Sequence, residues 1–127
     1  MNKKPILIIC GEPNSIFSEI IIKSFRKFKS KKPILLIGSH KLMLSQLKKM
    51  KIKTNLNLVK LNSSLFKQLD TIKINILNVD YKFKKPFEKI SSKSNKYIER
   101  CFDISFKIIA LNKISGLING PISKKFF

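Results

Sequence analysis

The chain has 127 residues, enough for one domain or a piece of a larger one, and 43% of them are hydrophobic, which argues against a disordered chain. Its formal net charge is +20, carried by 25 Lys and two Arg against seven carboxylates, a first sign of nucleic-acid or anionic-membrane binding. Three features weigh against that sign: Arg, the bidentate partner of phosphate and guanine, is nearly absent; Lys is spread along the whole chain; and Ile, Lys and Asn fill 56 of the 127 positions, as AT-rich codon usage would dictate.

The basic start, Met1 to Pro5, is followed by an apolar stretch too short for a signal peptide. No apolar run approaches the ~20 residues that span a bilayer. A cytoplasmic protein with no membrane partner is expected. Pro5-Ile6-Leu7-Ile8-Ile9-Cys10 is a continuous, β-branched-rich run bounded by Pro and Gly, the pattern of a strand buried on both faces. Gly11-Glu12-Pro13-Asn14-Ser15 is a turn, with Asn14 or Ser15 placed to cap a helix over residues 16–29. Its expected apolar stripe is Ile16, Ile20, Ile21, Phe25 and Phe28.

The pattern then repeats. Pro33 breaks the helix, Ile34 to Gly38 is a second buried strand, and Ser39 caps a second helix whose apolar face is Leu42, Met43, Leu47 and Met50. Residues 55–61 and 73–79 alternate polar and apolar and predict strands with one wetter face. Residues 81–93 read as a loop. A long helix is expected from Ser94 to about Lys113, ended by Ser115-Gly116, with Tyr97, Ile98, Cys101, Phe102, Ser105, Ile108 and Ile109 on one face. Leu117-Ile118 predicts a short buried strand, Asn119-Gly120-Pro121 a turn, and residues 123–127 the first turn of another helix. The fold class is therefore α/β, a parallel or mixed sheet flanked by helices. The whole of 1–127 reads as a single, incomplete α/β domain.

The residues that metals and redox chemistry need are sparse. Cys10 and Cys101 are far apart and form no C-x-x-C pair, and His40 is the only histidine. His40 reads as a surface or capping residue. The sites of open α/β sheets lie at the C-terminal ends of strands. Two segments qualify there: Gly11-Glu12-Pro13-Asn14-Ser15-Ile16-Phe17-Ser18-Glu19, and Gly116-Leu117-Ile118-Asn119-Gly120-Pro121-Ile122-Ser123-Lys124.

In this order and separation the two segments resemble the 4-hydroxythreonine-4-phosphate dehydrogenase family. That family opens with a strand and a G-[DE]-P-x-G-I-G-P-E turn into its first helix. Later it carries a long helix, an apolar strand and a G-P-[IV]-x-K segment. Gly11, Glu12, Pro13, Ile16 and Glu19 match the first motif, and Gly120, Pro121, Ile122 and Lys124 the second. Ser15, Phe17 and Ser18 stand where the family has Gly, Gly and Pro. Phe17 forbids a close backbone approach at that point: either it packs instead, or any ligand contact made at those glycines is lost.

The resemblance implies an isocitrate/isopropylmalate dehydrogenase-like fold, present here in part, with its site in a cleft between two domains of a homodimer. It implies oxidation of 4-phosphohydroxythreonine by NAD beside a divalent metal (Zn, Mg or Co), then loss of carbon dioxide, on the route to vitamin B6. The metal would act as a Lewis acid on the alcohol oxygen. The family's three metal-binding histidines and main substrate residues lie C-terminal to the second motif, so no metal ligand and no catalytic residue is assigned here. The isolated chain is expected to be inactive. Candidate cleft residues are Gly11, Glu12, Pro13, Asn119, Gly120 and Lys124. Lys124, near a helix start, suits a phosphate or carboxylate. Glu12 either contacts a ligand hydroxyl or amine, or bonds its own turn. The alternative function is a small basic nucleic-acid-binding module.

Overall fold

The computed structural model describes residues 3–127. Five parallel strands form one sheet: β1 (Ile6–Ile9), β2 (Ile34–Gly38), β3 (Leu56–Val59), β4 (Ile74–Asn78) and β5 (Gly116–Asn119). Their order across the sheet is β3-β4-β2-β1-β5. Helices α1 (Phe17–Phe28) and α2 (His40–Lys49) pack together, and their apolar residues close one face. Helix α3 (Asn95–Ile109) closes the other. This is the expected α/β class, and the sheet is parallel throughout.

Side chains alternate across the sheet, so each strand feeds two cores. Leu7, Ile9, Leu35, Ile37 and Leu77 meet Tyr97, Ile98, Cys101 and Ile108 of α3. Ile8, Leu36 and Ile76 meet Ile22, Met43 and Leu47 of the two helices opposite. The prediction for α2 holds: Ser39 Oγ accepts from Leu42 N at 3.2 Å, and Leu42, Met43 and Leu47 are buried.

Four expectations need correction. The α1 stripe turns about Ser18 and Ile22, which are buried, while Ile16, Ile20 and Phe28 are exposed. The all-apolar stretch Ile20-Ile21-Ile22 admits more than one helical stripe, and packing against β-strands selects the one through Ile22. Strand β4 has no wet face: residues 74–77 are all buried, Asn75 included. Helix α3 ends at Ile109, well before Ser115-Gly116. Asn112 takes a left-handed φ of 55° there, a conformation that Asn tolerates, and reverses the chain after Asn112 N bonds Ile109 O at 2.9 Å. Finally, β5 is exposed along its whole length because it is an edge strand that no helix among the described residues covers.

The loop expected over 81–93 is irregular over 79–91 and gives way to a 3-10 turn at Ser92–Ser94, and a helical turn at the C-terminus is closed by Phe127 N to Ser123 O at 2.9 Å. No helix among the described residues is long and apolar enough to cross a membrane.

Candidate functional site

The strand order identifies where a site belongs. From β1 the chain moves outward to β2 and on to the edge strand β3, comes back to lay β4 between them, then crosses by α3 on the opposite face to place β5 on the other side of β1. The β1/β5 boundary is thus the topological switch point, where open α/β sheets bind ligands beyond the strand C-termini. The two sequence motifs leave the sheet at that boundary, Gly11 after β1 and Gly120 after β5.

They touch through bare backbone. Glu12 N donates to Pro121 O at 2.7 Å, and Gly120 N donates to Ile9 O at 2.6 Å. A Cβ on Gly120 would lie 2.4 Å from Cys10 O, and one on Gly11 would lie 2.5 Å from Pro121 O. Gly11 also has a φ of +72°, which side chains rarely adopt. Both glycines are therefore demanded by the contact between the turns.

The first turn is held from three further directions. Glu12 is only 4% exposed. Its Oε1 accepts from Asn14 N at 3.2 Å and its Oε2 from Ser94 Oγ at 3.1 Å, which ties the turn to the start of α3. The structure thus gives Glu12 the turn-bonding role. Pro13 is buried, and its carbonyl accepts from Gln46 Nε2 of α2 at 2.6 Å. Gln46 Nε2 also reaches Pro86 O at 2.9 Å, and Asn14 Oδ1 accepts from Glu88 N at 2.9 Å, so the 79–91 segment is fastened over the same turn. The backbone donors of Lys84 and Lys85 hold the Glu88 carboxyl below its usual range, assisted by Lys93.

Ser15 and Phe17 do without the glycines of the related motif. Ser15 Oγ donates to Glu12 O at 2.9 Å and accepts from Phe17 N at 3.2 Å, so a serine hydroxyl starts the helix. Phe17 packs against the α1/α2 core, the first of the two alternatives open for it. Ser18 Oγ lies buried with no hydrogen-bond partner among the described residues. It borders a cavity of about 20 Å³ with Cys10, Ser15, Gln46 and Tyr97. That is room for roughly one water molecule, far below the ~300 Å³ of a small-ligand pocket.

Asn119 and Lys124 differ from the other candidates in being exposed. The Asn119 amide makes only a 3.3 Å contact to Gly120 O. Phe126 O of the following turn accepts from Asn95 Nδ2 at 2.7 Å, which fixes the turn carrying Lys124 against the N-terminus of α3. The structure thus brings all six candidates to one rim: four form its packed backbone floor, and two present polar groups outward.

His40 stands apart, at the start of α2, with its backbone N–H donating to Asn78 Oδ1 at 3.0 Å. Among the described residues no group of three His, Cys, Asp or Glu side chains could hold a metal ion. The cysteines offer no thiolate. Burial, helped by Cys101, pushes the Cys10 thiol far up, and burial pushes Cys101 up to about 12. Burial also raises the Tyr97 hydroxyl, whose oxygen accepts from Ser39 N at 2.8 Å.

Sequence reasoning missed Gln46, Ser94 and Asn75. Gln46 had a visible signal, since it is a polar residue inside the otherwise apolar face of α2, whereas Asn75 read as the solvent side of an alternating strand. Ser94 had none, because its role depends on Glu12 arriving from 82 residues away.

No family model and no curated protein matches the chain. Solved structures do. A protein of Salmonella typhimurium, provisionally named a 4-hydroxythreonine-4-phosphate dehydrogenase, superposes with a TM-score of 0.74 at 17% identity, over 96% of this chain and 38% of that one. The 4-hydroxythreonine-4-phosphate dehydrogenase of Klebsiella pneumoniae gives 0.71 at 18% identity, over 97% and 38%. That of Burkholderia phymatum gives 0.71 at 15%, over 97% and 38%. The chain therefore has the fold of the N-terminal portion of these proteins and spans 38% of their length.

Proposed function

We propose that the chain is the N-terminal portion of a 4-hydroxythreonine-4-phosphate dehydrogenase, and that the β1/β5 rim is one wall of its cleft. The observation that carries this reading is the backbone contact between the Gly11-Glu12-Pro13 and Gly120-Pro121 turns. Two motifs chosen from sequence for their likeness to one enzyme family come together at the switch point of a sheet that shares the fold of proteins bearing that name.

Each residue then has a limited task. Gly11, Gly120, Glu12 and Pro13 make a rigid floor, since a site must hold its groups to a fraction of an ångström. Asn119 supplies an uncommitted amide at the rim. Lys124 supplies a cation for the phosphate or carboxylate of a phosphorylated hydroxy acid. NAD would accept the hydride, and a divalent metal would polarise the alcohol oxygen. The residues described here do not fit a metal, so its ligands, and every step at the reacting carbon, belong to protein outside 1–127. A homodimer, in which the second subunit contributes to the cleft, is part of the same proposal.

Turnover tests it. The polypeptide read through any continuation of the frame past Phe127 should reduce NAD when given 4-phosphohydroxythreonine and a divalent metal. Residues 1–127 alone should not. In the active form, Lys124→Ala should raise KM for the phosphorylated substrate by about tenfold, the loss of one charge-assisted contact. Turnover by the 127 residues alone would overturn the reading. So would a continued chain that binds metal yet leaves the substrate untouched.

A further inference from the structure

A second feature lies at the opposite pole of the sheet, where the strands begin. An open groove of about 990 Å³ is bordered by the segment before β1, the segment before β2, the 3-10 turn Leu65–Gln68 and the link from α3 to β5. Five of its eleven lining residues are lysines, namely Lys3, Lys4, Lys31, Lys67 and Lys113, whereas 25 of the 127 residues of the chain are lysine. No carboxylate lines it. All five lysines are exposed, and none forms an ion pair among the described residues; the two pairs present are Lys23–Glu19 and Lys93–Glu88. The nearest acidic residue in sequence, Asp70, turns its carboxylate onto the backbone N–H groups of Ile72 and Lys73 at 2.7 and 2.8 Å.

Lysines at this pole have an ordinary explanation, because helices α1 and α3 end here and helix C-termini attract cations. The magnitudes decide against it as a full account. Each helix end carries roughly half a negative charge, so two of them offset about one of five positive charges. The remainder is an uncompensated cationic groove, whose local potential adds to that of a chain already at +20.

We propose that this groove binds an extended phosphate-chain anion, of the oligophosphate class. Several closely spaced negative charges can meet several lysines at once, whereas a single phosphate meets one or two. A single-stranded nucleic acid fits the groove less well. Such ligands need aromatic platforms for their bases, and the one aromatic here, Phe66, is half-buried with Lys113 Nζ 5.6 Å from its ring centroid. Neither of the two arginines, Arg26 and Arg100, lines the groove. This site is independent of the β1/β5 rim and of the dehydrogenase reading.

The probe is inorganic tripolyphosphate, titrated calorimetrically at low ionic strength. Saturable binding at one site per chain is expected, weakening as salt is added. Lys31→Glu with Lys67→Glu should weaken it at least about tenfold, while Lys82→Glu with Lys96→Glu, an equal change in net charge outside the groove, should change it less than about threefold. Equal losses in the two variants would reduce the effect to overall charge and overturn the site. Absence of saturable binding would do the same. Acetylation of the unaltered protein, read by mass spectrometry, supplies a test free of folding defects. Tripolyphosphate should shield Lys31, Lys67 and Lys113 and leave Lys82 and Lys96 reactive; uniform shielding refutes the groove. A thymidine oligonucleotide that shields the same three at lower concentration than tripolyphosphate would replace the proposal with a nucleic-acid site.

Discussion

Two strands flank β1, and they meet opposite fates. On one side lies β2, Ile-Leu-Leu-Ile-Gly, buried at every residue. On the other lies β5, Gly-Leu-Ile-Asn, exposed at every residue, with Leu117 at 40% and Ile118 at 52%. Both pair with β1 in parallel register, and both are apolar at the centre. The difference is cover. Helices α1 and α2 lie over one face of β2 and α3 over the other, whereas β5 has no strand beyond it among the described residues. An apolar run thus states what a strand can bury, and the surrounding layers decide whether it does.

Truncating a leucine in each strand measures that difference directly. Leu36 is fully buried, so Leu36→Ala should cost about 3–4 kcal/mol through lost transfer energy and a new cavity. Leu117→Ala should cost less, about 1–2 kcal/mol, because a residue already 40% exposed gives up less burial and leaves no enclosed cavity. Urea midpoints of the two variants check both values. Equal losses would mean that β5 is covered in solution by something further.

Beyond the ladder along its length, β5 is held to β1 at its end by a close backbone approach. Gly120→Ala should cost about 3 kcal/mol in urea denaturation, since its Cβ would meet backbone at 2.4 Å and neither strand can yield cheaply. A loss below about 1 kcal/mol would show that the two turns are loosely apposed, and the cleft floor with them.

Much of this was legible beforehand. The βαβ rhythm, the Ser39 cap and the core face of α2 follow from local pattern, and the structure has them all. The two turns could be picked from sequence because glycines and a proline at strand ends carry their conformational demand on their face. What could not be read was the lateral order of strands. Order made β5 an edge and β4 a central strand, so a strand expected to be buried is wet and one expected to be half wet is dry. Asn75 is the sharpest case. It looked like the solvent face of an alternating strand, yet it is fully buried. It donates to Ile34 O and Asp70 O, both at 2.9 Å, and accepts from Asp70 N at 2.7 Å and Asn57 Nδ2 at 2.8 Å.

That network predicts the next effect. Asn75→Leu keeps the branching of the side chain but leaves the Asp70 and Ile34 backbone groups without their partner, at a cost of about 2 kcal/mol or more by urea midpoint. A neutral result would show that β4 is as wet as its alternation suggested. Cys101, on the α3 side of β1, gives a smaller, pH-dependent effect. Burial disfavours its thiolate and pushes the thiol up to about 12 in the fold from 9.0 ordinarily. Its contribution to stability is therefore whole below pH 9 and is lost as pH rises towards 12, when the unfolded chain ionises first. The gap in urea midpoint between the unaltered protein and Cys101→Ala should narrow from pH 8 to about pH 10.5. A constant gap would mean that the α3 layer admits water.

The smallest effect concerns Ser18, on the opposite side of the sheet, and there the sign matters more than the size. Its hydroxyl is the one buried side-chain polar atom without a partner among the described residues. Leaving a hydroxyl so placed forfeits its bonds to water, roughly 0.5 kcal/mol at the low end of the range for a buried hydroxyl. Ser18→Ala removes that penalty and gains some helix propensity, roughly half a kcal/mol. Against this stands a slightly larger void beside the existing cavity, at about 24 cal/mol per Å³, which comes to a few tenths for one oxygen. The balance favours alanine, so Ser18→Ala should leave the protein unchanged or more stable by up to about 1 kcal/mol, read from thermal and urea midpoints together. A loss beyond about 0.5 kcal/mol would mean that the hydroxyl is bonded in solution. The cavity it shares with Ser15 and Gln46 has room for such a partner, and the floor beneath Pro13 would then rest on a polar cluster instead of a dry one.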